Sequence, residues 1–248
     1  GKTVLASRFG GFFISRLIKS MKTIVYIDGY NLFYGCLKHS NDKWLDLFKL
    51  FNGLLKAQCG EISSLHIKFF TADIRAKVAS KGDEARIAQQ SYHRALEQLY
   101  PQELTIIKGY YTLDKAHLPA YKNPIDKNSK VEVWRLEEKQ TDVNIALHAY
   151  RDAAKGHAEQ LVFVSNDTDL EPALLAIRED FGDRHKIGVV IPIRKPNPKQ
   201  RHRRPPNSRL SEQANWTRQY LTDDELANNQ LPDKVATRKK PIIKPDYW

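Results

Sequence analysis

The sequence predicts an α/β fold in which helices cover both faces of a mainly parallel sheet of about five strands. From Met21 onward, short β-branched runs alternate with amphipathic stretches, which is the pattern of parallel strands joined by crossover helices. The chain of 248 residues is 41% hydrophobic and 28% charged, a globular composition. No apolar run is long enough to span a membrane, because Arg16 and Lys19 interrupt the first candidate.

Five strands and three main helices follow in order along the chain. The predicted strands are Thr23 to Ile27, Leu65 to Phe70, Leu104 to Lys108, Leu161 to Val164 and Lys186 to Ile191. The first two helices are predicted from apolar residues at helical spacing: Trp44, Leu47, Phe48, Phe51, Leu54 and Leu55, then Ile87, Tyr92, Ala95, Leu96 and Leu99. The third helix is predicted from Glu138 to Ala154, with a buried stripe of Val143, Ala146, Leu147 and Tyr150.

Four segments make up the predicted domain organisation. Residues 1–20 are basic and precede Met21, the single methionine, so we interpret them as a non-native or leader segment. Residues 21–193 form the domain, and residues 194–210 a basic, proline-rich loop. In the C-terminal extension, residues 211–248, we predict a helix from about Ser211 to Leu221, a turn near Asp223 to Asn229 and a disordered tail.

The charges and cysteines bear on partners and compartment. The net charge of +11 is concentrated at the two ends, whereas residues 21–193 are neutral overall. Basic ends suit a polyanionic partner, although a charge run serves equally well as a solubilising linker. Cys36 and Cys59 provide neither a disulfide framework nor a metal-binding pair, which predicts a reducing, cytoplasmic compartment.

Acidic residues follow two of the predicted strands, where ligands of open α/β sheets bind. Asp28 and Asn31 come after the first strand, and Asp167 and Asp169 after the fourth. If these strands are neighbours, their carboxylates meet, and Asp142 on the third helix completes the cluster. Such carboxylates repel one another unless a proton or a cation neutralises them, and oxygen ligands suit Mg²⁺ or Mn²⁺. Taken singly, each aspartate could instead cap a helix or lie in solvent.

Other site chemistries lack support in the sequence. The eight histidines include no closely spaced ligand pair for zinc, and no G-x-S-x-G elbow surrounds Ser165. No G-x-G-x-x-G motif for a dinucleotide occurs in the chain.

Three motifs resemble those of NYN-domain proteins, the bacterial-type branch of the PIN-like nucleases. The motifs are Ile24-Val25-Tyr26-Ile27-Asp28-Gly29-Tyr30-Asn31, Lys139-Gln140-Thr141-Asp142-Val143 and Val164-Ser165-Asn166-Asp167-Thr168-Asp169-Leu170. The resemblance extends over roughly Met21 to Ile193, with departures at Gln140-Thr141, Asn166 and Thr168. It implies a three-layer α/β/α PIN-like fold and metal-dependent hydrolysis of RNA.

The same resemblance implies roles for individual residues. The Mg²⁺ or Mn²⁺ ligands would be Asp28, Asp142, Asp167 and Asp169. Asn31 would orient Asp28 or the substrate phosphate. Glu138, one turn before Asp142 on the same helix face, is a candidate extra ligand, with Ser165 and Lys139 in support.

A metal-dependent ribonuclease is therefore the leading functional hypothesis. The expected RNA-backbone contacts are Arg194, Lys195, Lys199, Arg201, Arg203 and Arg204. Candidate base-stacking residues are Tyr30, Tyr34, Tyr110, Tyr111 and Trp134. Some NYN-like sequences are described as hydroxylases of N-heteroaromatic compounds, so the second hypothesis is a flavin- or nicotinamide-assisted monooxygenase acting on a heteroaromatic acid. The third is a non-catalytic nucleic-acid-binding or regulatory protein. The oligomeric state stays open, a homodimer being one option.

Overall fold

One mostly parallel sheet of seven strands organises the protein. The computed structural model describes residues 20–195 and 208–248. The sheet has the order β4-β3-β2-β1-β5-β6-β7, and every pairing is parallel except the β3–β4 pairing. The strands are β1 Met21–Asp28, β2 Ile62–Ala72, β3 Leu104–Pro119, β4 Lys130–Lys139, β5 Gln160–Val164, β6 Lys186–Val190 and β7 Trp216–Arg218. The α/β class and the parallel pairing are confirmed, with two strands more than expected.

Helices pack on both faces of the sheet. They are α1 Gly29–Leu32, α2 Leu47–Cys59, α3 Gly82–Leu99, α4 Thr141–Ala154, α5 Glu171–Phe181, α6 Ser208–Glu212 and α7 Asp223–Asn228; a π-helical segment, Phe33–Leu37, follows α1. Successive side chains of β1 point to opposite faces. Val25 and Ile27 join the apolar cluster under α2 and α3, while Ile24 and Tyr26 join the one under α4 and α5.

Helix α4 buries a different stripe from the one predicted. The buried positions are Thr141, Ile145, Ala149, Asp152 and Ala153. Val143 and Leu147 are 61% and 55% exposed. Both sets recur at helical spacing, because this helix carries apolar residues around most of its circumference, so periodicity alone could not choose between them. On α3 the burial of Tyr92, Ala95 and Leu96 is confirmed, whereas Ile87 and Leu99 are exposed.

Strands β3 and β4 form a long antiparallel hairpin. The sequence predicts a short third strand ending at Lys108, but the strand continues to Pro119 and pairs with β4 from Tyr110↔Lys139 to Pro119↔Lys130. Glu138 therefore lies on β4 and not on α4, which corrects its predicted place on one helix face with Asp142.

The C-terminal extension is ordered onto the domain. The predicted helix from Ser211 to Leu221 is instead the short α6 followed by β7, which pairs with the edge of β6. Two further strands, β8 Lys234–Val235 and β9 Ile242–Ile243, pair with each other. Leu231, Val235 and Ile242 are buried in the core under α2 and α3, so the predicted disordered tail is wrong. The apolar residues of this segment stand singly and without helical or strand periodicity, so nothing in the sequence indicated that they are buried.

Within the described ranges, no helix is long and apolar enough to cross a bilayer. Cys36 and Cys59 are the two cysteines of the chain, and the structure shows no disulfide between them.

A largely buried ion pair ties α4 to the sheet. The Asp152 carboxylate on α4 accepts hydrogen bonds from the Tyr26 hydroxyl of β1 at 2.8 Å and the Lys68 ammonium of β2 at 2.5 Å. His157 Nδ1 lies 3.0 Å from the other carboxylate oxygen. Burial by itself would raise the pKa of Asp152, but the hydrogen bonds from Lys68, His157 and Tyr26 outweigh it and lower this pKa. This network holds the helix that carries Asp142.

Candidate active site

A cavity of about 300 Å³ opens at the carboxyl end of β1, between the β3–β4 hairpin and the start of α4. Its lining residues are Asp28, Tyr30, Asn31, Tyr34, Tyr111, Leu136, Glu138, Gln140, Thr141, Asp142, Val143 and Asp167. Strands β1 and β5 are neighbours, with Ile27 paired to Val164, as the acidic-pocket hypothesis required. The cavity therefore lies at the predicted edge of the sheet.

Asp28 is fixed at the base of the cavity. Its side chain caps α1 by accepting a hydrogen bond from the Asn31 amide at 2.9 Å, and the Asn31 side-chain amide donates another at 2.6 Å. The Ser165 hydroxyl at the end of β5 donates a third at 2.8 Å. Burial raises the pKa of Asp28, these hydrogen bonds oppose the rise, and the charge of Asp167 adds to it. The carboxylate is thus held by Asn31 of α1 and by Ser165, which directly follows β5.

The tight turn between β4 and α4 positions Glu138 and Asp142. Gln140 has a φ of 74°, a left-handed conformation that residues other than glycine adopt at a cost in energy. The Thr141 hydroxyl donates a hydrogen bond to Glu138 at 2.5 Å. Partial burial and the charges of Asp28, Asp167, Glu138 and Asp169 raise the pKa of Asp142 from 3.8 to about 7. Asp142 is therefore poised to exchange a proton near neutral pH.

Tyrosines form one wall of the cavity. The rings of Tyr30 and Tyr34, one helical turn apart, have centroids 4.3 Å apart, and each ring is about half exposed. On the hairpin, the Tyr111 hydroxyl donates a hydrogen bond to Glu138 at 3.2 Å. Burial, together with the charge of Glu138, raises the pKa of Tyr111. Its hydroxyl therefore stays protonated and can donate hydrogen bonds.

Replacing Gly109 by Ala should destabilise the protein by about 1–3 kcal/mol, because the added methyl overpacks the β4–α4 turn. A Cβ at this position would lie 2.4 Å from the carbonyl oxygen of Lys139 and 2.8 Å from Thr141 Oγ1. The matched control is Gly53→Ala on α2, where a Cβ meets nothing within 4 Å, and helix propensity predicts a gain of up to ~1 kcal/mol. Urea unfolding measures both; equal stability of the Gly109 variant and wild type would contradict the close contact.

The structure brings most of the predicted acidic residues together. The cavity is lined by Asp28, Asn31, Glu138, Asp142 and Asp167. Ser165 donates a hydrogen bond to Asp28. Asp169 is not part of the lining; its backbone amide donates to the Asp167 side chain, which caps the short 3₁₀ turn Thr168–Leu170. Lys139 is also absent from the lining, and its ammonium bonds to Glu137 at 2.5 Å.

The predicted basic contacts are only partly described. Arg194 forms ion pairs with Asp42 and Asp223 and donates a hydrogen bond to the carbonyl oxygen of Cys36. Its guanidinium therefore links three segments of the fold. The Lys195 ammonium lies 5.8 Å from the Tyr220 ring centroid. The other predicted contacts fall outside the described residues: Lys199, Arg201, Arg203 and Arg204.

Several lining residues were missed from sequence. Leu136 and Val143 form an apolar side of the cavity, and Gln140 and Thr141 form the turn beside it. Of the predicted stacking aromatics, Tyr30, Tyr34 and Tyr111 line the cavity, whereas Tyr110 and Trp134 do not. The one usable signal was the alternation of side chains along β4, which puts Leu136 and Glu138 on the same face of the strand. Using it required that the β3–β4 hairpin be recognised from the sequence first.

The predicted magnesium or manganese site is wrong on two grounds. Within residues 20–195 and 208–248, no group of three or more His, Cys, Asp or Glu side chains is arranged to hold a metal ion. The second ground is the known relative described next.

Comparisons with known proteins correct the functional hypothesis. The chain is 40% identical, over 246 aligned residues covering 92% of this chain and 75% of the relative, to 6-hydroxy-3-succinoylpyridine 3-monooxygenase HspA of Pseudomonas putida. A solved protein of unknown function from Vibrio parahaemolyticus, VPA0982, is 16% identical, with a TM-score of 0.47 over 83% of this chain and 95% of that one. No protein-family model matches the chain, so the NYN resemblance stays a prediction. The monooxygenase relative overturns the ribonuclease hypothesis, with its hydrolase and RNA-binding assignments.

Proposed function

The chain belongs to the family of 6-hydroxy-3-succinoylpyridine 3-monooxygenase, and from that premise we propose that it is a monooxygenase of a hydroxylated N-heteroaromatic acid. The observation that carries the proposal is the 40% identity over most of both chains. A reaction of this class bonds one atom of dioxygen to the substrate ring and reduces the other atom to water, which takes two electrons and two protons. Reduced nicotinamide or reduced flavin is the class of reductant that supplies the electrons.

The cavity suits a single heteroaromatic ring. Its volume of about 300 Å³ is at the small end of ligand pockets, which run from about 300 to 1,000 Å³. The Tyr30–Tyr34 pair offers an aromatic face for stacking, while Leu136 and Val143 offer an apolar side. The carboxylates at the base accept hydrogen bonds from a ring N–H or O–H. The lining thus matches a planar molecule with one polar edge.

Asp142 is the proposed general base. Attack by an electron-poor oxygen species requires an electron-rich ring, and removing a proton from a ring hydroxyl or N–H raises the ring's electron density. A carboxylate with a pKa of about 7 can take that proton at neutral pH and return it later. Asp28, held by Asn31 and Ser165, orients the same polar edge without needing to change its protonation.

The described cavity does not fit the pyrophosphate of a nicotinamide or flavin dinucleotide. Several carboxylates line it, and the Asn31 amide in the first turn of α1 already donates to Asp28. Gly29 makes no room for phosphate either, because a Cβ there would lie 2.6 Å from the carbonyl oxygen of Phe70. We therefore assign this cavity to the ring substrate and place no reductant in it.

The proposal is tested with purified protein, 6-hydroxy-3-succinoylpyridine, NADH with and without added flavin, and isotopically labelled dioxygen. We expect consumption of oxygen matched by a product carrying one labelled oxygen atom, measured by mass spectrometry. Omitting the reductant is the control and should stop the reaction. Absence of labelled product with every reductant, from protein that retains its native circular dichroism spectrum, would contradict the proposal.

A further inference from the structure

A line of side chains leads from the cavity to its rim. Tyr30 and Tyr34 line the cavity, and the ammonium of exposed Lys38 lies 4.6 Å from the centroid of the Tyr34 ring. Tyr34 belongs to the π-helical segment, and the Lys38 amide ends it by bonding to the Phe33 carbonyl oxygen, five residues back. Such segments recur at functional sites. The arrangement places a cation just outside an aromatic wall.

Charge is separated along the cavity. Asp28, Glu138, Asp142 and Asp167 make the base acidic, so a substrate carboxylate cannot enter there without strong repulsion. A ring that carries a carboxylate on a short acyl chain must therefore bind with its polar ring edge toward the base and its carboxylate toward the rim. The rim needs a cation to receive that carboxylate.

Three other cations of the described residues already have partners. Lys139 bonds to Glu137, and Lys108 pairs with Asp73 at 2.8 Å. The Arg75 guanidinium donates twice to the Tyr111 carbonyl oxygen, at 2.7 and 3.2 Å. Among the ion pairs of the described residues, none involves Lys38. Its charge next to the Tyr34 ring is thus available to a ligand.

We propose that Lys38 binds the substrate carboxylate at the rim of the cavity and so selects heteroaromatic acids over neutral heteroaromatics. The proposal rests on the monooxygenase function and assigns Lys38 a binding role without chemistry. Stacking on Tyr30 and Tyr34 holds the ring between Lys38 and the acidic base. The substrate's orientation then follows from two charges of opposite sign at the two ends of one cavity.

The test is a thermodynamic cycle that changes the protein at Lys38 and the ligand at its carboxylate, with each affinity measured by isothermal titration calorimetry without reductant. The probes are 6-hydroxy-3-succinoylpyridine and its primary amide, and the proteins are wild type, Lys38→Met, Lys56→Met and Arg75→Met. We expect wild type to bind the acid roughly tenfold more tightly than the amide, the magnitude of one hydrogen bond to a charged group. Lys38→Met should bind the acid about as weakly as the amide, while its affinity for the amide stays close to that of wild type. Lys56 is an exposed lysine on α2, and its variant should behave as wild type.

The outcomes separate this inference from the proposed function. If Lys38→Met still prefers the acid as wild type does, or if Arg75→Met abolishes the preference instead, the assignment of Lys38 is wrong while the function stands. If wild type binds neither probe, both the function and the role of Lys38 fail. Loss of the preference in Lys38→Met alone supports the assignment.

Discussion

Replacing Asp142 by Asn should lower the turnover number by about 10²–10⁴-fold, the usual contribution of a general base. The amide cannot accept the ring proton, yet it keeps the shape of the side chain, so we expect the Kd of the substrate to change by less than a few fold. Steady-state turnover and calorimetric Kd measure the two effects separately. Glu179→Gln, an exposed acid on α5, is the matched control and should leave both values unchanged.

The same variant tests the charge state of the cavity through stability. Because the pKa of Asp142 rises from 3.8 to about 7 on folding, the folded protein holds this proton to higher pH than the unfolded chain. Wild type should therefore lose stability as the pH rises through that window. Asp142→Asn should have a Tm a few degrees higher above pH 7 and equal to that of wild type near pH 4. A variant less stable than wild type at pH 8 would contradict the carboxylate repulsion.

Replacing Asp152 by Ala should cost up to about 3–5 kcal/mol of stability, because it leaves the Lys68 ammonium, whose side chain is only 15% exposed, without its counter-charge. The carboxylate also accepts a hydrogen bond from the Tyr26 hydroxyl, which would lose its partner in the variant. Chemical unfolding measures the loss. Since the pKa of Asp152 is lowered in the folded state, the loss should be full above about pH 4, where the carboxyl is ionised in both states, and shrink in stronger acid.

Two comparisons isolate the buried charge in that result. Asp83→Asn breaks an exposed pair with Arg86 on α3 and should cost less than about 1 kcal/mol. The double variant Asp152→Leu with Lys68→Met removes both charges and should recover much of the stability lost in Asp152→Ala. A double variant no more stable than the single one would show that the hydrogen bonds, and not the unpaired ammonium, set the cost.

Elements with strong local signals were predictable from sequence. The runs at Thr23 to Ile27 and Leu161 to Val164 are mostly apolar because both strands are buried on two faces, whereas their pairing was only a condition of the site hypothesis until the structure showed it. Strand β7 and the tail were not predictable, since three-residue strands and single docked leucines leave no period. The buried face of α4 depended on tertiary packing that periodicity could not resolve.

The candidate site was predictable where residues directly follow strands. Asp28, Asn31 and Asp167 were placed at the cavity by that rule alone. Glu138 lines it too, but from a hairpin strand, and Tyr111 needed the same hairpin to reach it. The metal prediction was wrong because acids at the ends of neighbouring strands show only that their charge must be neutralised, and among the described residues no three are arranged to hold a metal ion.

The central position of β1 has a consequence for how the chain acquires its structure during synthesis. One edge of β1 pairs with β2, which follows closely in the chain, but the other edge pairs with β5. Ile24 therefore cannot pair with Leu161 until the chain as far as β5 has been synthesised. Contacts so distant in sequence slow folding, since a long loop must close first. Until Gln160 and its neighbours leave the ribosome, β1 has an open, apolar edge that can pair with other chains. Fragments ending before β5 should therefore aggregate, and the intact chain should fold late.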